Sequence, residues 1–100
     1  MPKLIPANRF LEDIEKFRSD SAMRKKIAKA ISFLENNPRH PGLNTERIVN
    51  DPRAWSARVD RKYRISFEPQ QFLHSGNPDW SSPIILLRLL NHDDLYKRPR

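Results

Sequence analysis

Trp55-Ser56-Ala57-Arg58-Val59-Asp60-Arg61-Lys62-Tyr63-Arg64-Ile65-Ser66-Phe67 is the stretch from which the fold is read, because its apolar residues alternate strictly on both sides of a polar break. Period-two alternation sets Trp55, Ala57, Val59, Tyr63, Ile65 and Phe67 on one face and Ser56, Arg58, Arg64, Ser66 and Glu68 on the other. The two sets match across a turn only if Asp60-Arg61-Lys62 is a three-residue loop, since a two-residue loop would set polar Asp60 against inward Tyr63. Arg58 then opposes Arg64. Like charges directly across a strand pair destabilise it, and an anion held between two guanidinium groups removes the penalty. Phosphate is the natural candidate.

Outward from this hairpin, the nine prolines divide the chain and leave windows 7–37, 53–68 and 84–98 free of them. Proline interrupts helix interiors and central strands alike, so these windows hold most of the regular structure. In the first, Phe10, Ile14 and Phe17 with Leu11 beside them, then Met23, Ile27, Ile31 and Leu34, trace the apolar stripes of two amphipathic helices. Ser19-Asp20-Ser21 separates them with N-cap chemistry, and Asn36-Asn37-Pro38 ends the second, with a left-handed cap expected before the proline. Ile84-Ile85-Leu86-Leu87-Arg88-Leu89-Leu90 is too uniformly apolar for a half-exposed strand and reads as one covered on both faces. Glu46-Arg47-Ile48-Val49 is a further strand and Lys3-Leu4-Ile5 a weaker one. The stretch from Glu68 to Pro83 is an irregular loop that Trp80 staples down. The sum is an α+β domain spanning residues 1–100, an N-terminal helical hairpin packed on a small, mainly antiparallel twisted sheet.

One hundred residues suffice for one core that buries roughly 60 to 70% of the unfolded chain's surface. Nineteen Lys and Arg against twelve Asp and Glu give +7, and the sequence pI near 10.3 falls in the range of nucleic-acid binders. No segment is apolar enough to span a bilayer and the N-terminus carries no signal-peptide run, so no membrane partner is expected and the location reads as cytoplasmic. The absence of cysteine excludes disulfides and thiolate zinc sites.

Around the hairpin, Arg53, Arg58, Arg61, Lys62 and Arg64 are accompanied by Asp60 alone among acids, which favours anion binding. Arg24-Lys25-Lys26 and Lys29 on the second helix read as its solvated face. His92 follows the buried strand directly and is the best acid or base candidate, imidazole being the side-chain type whose reference value lies near neutrality. His40 and His74 read as surface loop residues. His92-Asp93-Asp94 is a weak metal pattern that also reads as a cap on a last helical turn. Tyr96, four residues on, would share a side with His92 in such a turn, either in a site or packed on the sheet. With two isolated glycines, the chain has no nucleotide-binding loop or nucleophile elbow. Neither metal nor organic cofactor is expected. Arginine, histidine, carboxylate and tyrosine acting on a phosphate describe RNA cleavage by 2'-hydroxyl attack.

The W-S-x-R-hydrophobic hairpin, the Tyr63-Arg64 pair four residues beyond it and the closing Asn91-His92-Asp93-Asp94-Leu95-Tyr96 together resemble the RelE/ParE toxin superfamily, the hairpin being most like its YoeB branch. The resemblance covers nearly the whole chain. It implies a toxin of a type II toxin-antitoxin pair, an endoribonuclease cutting mRNA on the ribosome and silenced by a cognate antitoxin, acidic and DNA-binding. It also leaves open a ParE-like inhibitor of DNA gyrase or a non-catalytic antitoxin-binding member. Carried over by position, Arg64 matches the principal phosphate-binding arginine, Arg58 a basic residue on the preceding strand, and Glu46 lies near the carboxylate base of the YoeB branch. His92 and Tyr96 resemble the C-terminal catalytic positions. They stand four apart here, where YoeB-like chains have adjacent His and Tyr.

Overall fold

The computed structural model describes residues 2–100. Strand β1 (Leu4–Pro6) leads into α1 (Asn8–Glu15) and α2 (Ser21–Asn36); a 3-10 turn (Pro41–Leu43) precedes β2 (Glu46–Ile48), β3 (Asp51–Arg58), β4 (Tyr63–Pro69) and β5 (Ile84–Asn91), and α3 (His92–Lys97) closes the chain. The five strands form one sheet in the order β1-β5-β4-β3-β2. Only the β1–β5 pairing is parallel.

The β3–β4 hairpin has the register that its alternation requires, with Trp55 opposite Phe67, Ala57 opposite Ile65 and Arg58 opposite Arg64. Asp60 builds the three-residue loop: its Oδ1 accepts from the Lys62 and Tyr63 backbone N–H groups at 2.9 and 2.7 Å, the local bonding that makes aspartate a turn residue. The Lys26 ammonium, 3.4 Å from Asp60 Oδ2, ties this loop to α2. Burial pushes the Asp60 carboxyl up, but the two backbone donors and Lys26 outweigh it and hold the group below its ordinary value.

The inner face of the sheet carries Ala57, Ile65, Phe67, Ile84, Leu86 and Leu89 against Phe10, Met23, Ile27, Ala30 and Leu34 of the helical hairpin. A bulge explains how β5 fills both faces. Ser66 pairs with Arg88 and Phe67 with Leu86, so Leu87 is an extra residue that shifts the alternation by one. Ile84 and Leu86 before it and Leu89 after it all face the helices, while Leu87 joins Ile48, Ala54 and Leu95 in a second core under α3. A single alternating phase could not do this, which is why the strand reads as uniformly apolar.

Beyond the end of β1, the exposed edge of β5 is completed by a side chain. Asp13 of α1, buried, accepts from the Leu89 backbone N–H at 2.9 Å and from Arg88 Nε and Nη2 at 2.8 and 3.1 Å. Its hydrogen bond raises the Arg88 guanidinium above its already high ordinary value.

Asp20 caps α2, its side chain accepting from Met23 N. The left-handed cap expected at Asn36-Asn37 is absent: Asn37 is extended, with φ −159°, because a residue before proline is pushed out of the helical region. Asn44, with φ 45°, is the left-handed non-glycine residue among those described. Trp80 pins the long loop, meeting Trp55 edge to face at a centroid distance of 5.1 Å.

Candidate active site

The outer face of the sheet is where most of the residues singled out in the sequence meet. Arg58 and Arg64 sit side by side at the loop end of the hairpin. Arg64 is half-buried and turns back over the loop, its Nη1 donating to Asp60 O at 2.7 Å and more weakly to Tyr63 O at 3.4 Å. Arg58 is exposed, and among the described residues neither arginine is paired with a carboxylate. Arg58, Lys26, Lys29, Phe33 and Asp60 line a recess of about 230 Å³ between the hairpin and α2.

Helix α3 starts beside these arginines. Asn91 caps it, accepting from Asp94 N at 2.9 Å while its Nδ2 donates to Asp94 Oδ2, so the cap lies one residue earlier than His92-Asp93-Asp94. The His92 N–H donates to Lys62 O at 2.8 Å, which fastens the start of α3 to the hairpin loop. The His92 side chain is half exposed, with Nδ1 3.5 Å from Asp93. One helical turn later the Tyr96 ring lies 4.6 Å from the imidazole, centroid to centroid, as four-residue spacing on a helix dictates.

Tyr96 reaches across the sheet to β3. Its hydroxyl is hydrogen-bonded to Ser56 Oγ at 3.0 Å and lies 3.4 Å from Glu46 Oε2, a carboxylate oxygen to which it can donate. Glu46 and Ser56 are cross-strand partners. The fold therefore gathers Glu46, Ser56, His92 and Tyr96 on the face that carries Arg58 and Arg64. Ser56 was not among the site residues expected from sequence; its outward position was legible, but its partner is forty residues away.

The remaining cations divide. Arg61 and Lys62 are exposed in the loop, Lys62 Nζ lying 5.5 Å from the Tyr63 ring centroid. Arg53 does not join them. It sits at the opposite end of β3, roughly 17 Å away at strand spacing, where its Nε binds Glu68 at 3.0 Å and its guanidinium covers Phe72. Counting charges over twelve successive residues merged the two ends of an extended strand. Among the described residues no three His, Asp or Glu side chains gather as a metal-binding group.

The path of this chain, a helical hairpin on one face of a five-stranded sheet and a short C-terminal helix on the other, recurs in solved structures. The YoeB/ParE toxin from Agrobacterium tumefaciens matches with a TM-score of 0.68 and 20% identity over 90% of this chain and 98% of its own. The chain has the RelE-like toxin fold. A chain of the E. coli DinJ-YafQ complex (TM-score 0.69, 11% identity, 95% and 98% covered) and the YoeB dimer from Staphylococcus aureus (0.67, 17%, 91% and 97%) share it. No family model and no curated protein matches the sequence. At these identities the likeness is one of backbone, so what a RelE-like fold does here has to be argued from its side chains.

Proposed function

We propose that this chain, acting as one domain over residues 1–100, is the toxin of a type II toxin-antitoxin pair and an endoribonuclease that cleaves mRNA on the ribosome in the cytoplasm. The observation that carries the reading is the gathering of His92, Tyr96 and Glu46 on the face that bears the Arg58–Arg64 pair. In the reaction, the Glu46 carboxylate takes the proton of a 2'-hydroxyl, whose oxygen attacks the adjacent phosphorus. Arg64 and Arg58 stabilise the charge that builds on the phosphorane. His92, as imidazolium, protonates the departing 5'-oxygen. Tyr96, held by Ser56, orients the base and the substrate. Arg61 and Lys62 contact flanking phosphates, and Arg53 is left out of this set.

The partner follows from the opposite face. Between α1 and α2 lies a groove of about 730 Å³ with Ile14, Ile27 and Ile31 in its floor and Arg18, Arg24 and Lys25 against a single acid, Glu15, in its walls. An acidic amphipathic helix of an antitoxin complements it in both hydrophobicity and charge.

The test is cleavage of a defined RNA, with and without ribosomes, by the wild type and Arg64→Ala. The wild type should leave 2',3'-cyclic phosphate ends and lose cleavage when the attacking nucleotide is 2'-deoxy. Arg64→Ala should be slower by roughly 10²- to 10³-fold, with the melting temperature lowered only by the loss of its hydrogen bond to Asp60 O. A fully active Arg64→Ala protein removes the assignment. Growth arrest with intact transcripts and DNA damage selects gyrase inhibition instead.

A further inference from the structure

Beyond α3 the chain is held down by contacts that continuing the helix does not require. Ser66 Oγ donates to Pro99 O at 2.6 Å. The Arg100 guanidinium then spans two strands, with Nε and Nη2 at 2.5 and 3.0 Å from the Asp51 carboxylate and Nη2 and Nη1 at 2.9 and 3.2 Å from that of Glu68. Arg53 also binds Glu68, so two guanidinium groups balance two carboxylates. Arg9 Nη1 donates to Arg100 O.

The direction of this segment defines its role. Along β4 the outer-face positions run Arg64, Ser66, Glu68, roughly 7 Å apart. Pro99 lies over the second and Arg100 over the third. The segment thus leads away from the Arg58–Arg64 pair and leaves it uncovered, an anchor behind the site and not a lid across it.

Such an anchor has something to hold. Helix α3 has six residues, far fewer than an isolated helix needs to persist in water. At its start the His92 N–H fixes it to Lys62 O; near its end Asn50 Nδ2 donates to Tyr96 O at 3.3 Å. Leu95 packs it on the sheet. Past that point the Arg100 clasp is the main polar fastening, and it uses the planar fork of arginine to bridge two carboxylates, which a lysine ammonium cannot reproduce.

We infer that Arg100, with Asp51 and Glu68, is a positioning clasp that holds α3 against the sheet so that the Tyr96 hydroxyl stays on Ser56 and Glu46 and the His92 imidazole stays beside it. The catalytic consequence rests on the nuclease reading; the effect on α3 does not. Displacing a reacting group by an ångström costs up to about 100-fold in rate, so Arg100→Ala should lower kcat by about 10- to 100-fold and leave KM within about twofold, since the phosphate-binding arginines are untouched. Arg100→Lys should recover part of the loss.

The experiment measures backbone amide exchange of residues 92–97 and RNA cleavage kinetics in the wild type, Arg100→Ala and Arg100→Lys. Faster exchange confined to α3, by about tenfold or more, with β3 and β4 unchanged and kcat reduced, supports the clasp. Unchanged exchange in α3, exchange raised equally throughout the sheet, or an increase in kcat overturns it, the last because it would mark the segment as a cover. If the wild type cleaves no RNA the nuclease reading fails, and the exchange of α3 alone decides the clasp.

Discussion

Replacing Asp13 by alanine is the most searching test of how this fold is held together. The carboxylate is 3% exposed and receives three hydrogen bonds: two from Arg88, itself 14% exposed, and one from the Leu89 backbone N–H. Alanine leaves a nearly buried guanidinium without its counter-charge, a loss of about 3–5 kcal/mol when one partner of such a pair is removed. It also strands the Leu89 N–H, which on its own costs about 1–3 kcal/mol. The two losses overlap, because relaxation that lets Arg88 reach water also admits water to the N–H, so the expected destabilisation is about 3–5 kcal/mol. For a chain of one hundred residues this lowers Tm by roughly 15–30 °C. Urea unfolding followed by tryptophan fluorescence measures it, with an unchanged m-value showing that the denatured state is not the cause. Asp13→Asn keeps an acceptor for Leu89 but loses the charge, and should fall between. The double variant Asp13→Leu, Arg88→Leu should be more stable than Asp13→Ala, since it removes the stranded charge. An Asp13→Ala protein within about 1 kcal/mol of wild type would mean that α1 is held by its apolar face alone.

Tyr96→Phe keeps the ring against His92 and removes the hydroxyl from Ser56 and Glu46; single-turnover cleavage should slow by roughly tenfold or more, and a rate equal to wild type would confine Tyr96 to packing. Reversing charge with Arg24→Glu and Lys25→Glu should weaken capture of an acidic antitoxin helix and flatten the salt dependence of its binding, leaving RNA cleavage intact; equal affinity in titration calorimetry would move the partner elsewhere. Acid should unfasten the outer face. Arg100, through its hydrogen bonds, holds Asp51 and Glu68 below their ordinary values of 3.8 and 4.5 against the opposing effect of burial. Groups with lowered folded values contribute stability that is complete above those ordinary values and is lost as pH falls through the folded ones. The urea midpoint should therefore stay level down to about pH 5 and decline below it, less steeply in Arg100→Ala; identical acid profiles would count against the clasp.

The hairpin was legible because an alternating strand has one free choice, the parity of its loop, and the apolar pattern determined it. The two helices and β5 were legible for similar reasons, although uniform apolarity concealed the bulge at Leu87 that lets β5 serve two cores. What could not be read were contacts made only by tertiary proximity. Asp13 and Arg88 are seventy-five positions apart, and Ser66 and Pro99 thirty-three; nothing local marks either pair. The outer face had two serines facing out, which reads as solvated, yet Ser56 and Ser66 are both buried because α3 and the segment after it lie over them. Among the candidate site residues, His92 was singled out by its place at the end of the buried strand, Tyr96 by helical spacing and Glu46 by resemblance; Arg53 was grouped with the hairpin cations, yet it pairs with Glu68 at the far end of β3, because closeness in sequence is not closeness along an extended strand.

The distribution of charge over the outer face ties these observations together. At one end Asp51 and Glu68 are matched by Arg53 and Arg100. At the other, Arg58, Arg61, Lys62 and Arg64 lie around Asp60, whose ion pair is with Lys26 of α2, with Asp93 and Asp94 in the first turn of α3 and Glu46 farther across the face. The paired charges of the outer face thus concentrate where the sheet is covered, while Arg58 and Arg64 at the open end have no carboxylate partner among the described residues. A solvated strand end gains nothing from opposing Arg58 to Arg64, and pairing either with glutamate would stabilise the hairpin locally. Under the proposed nuclease reading, keeping both as arginine, next to a histidine carried on a short anchored helix, trades a little hairpin stability for a field that an incoming phosphodiester would complete.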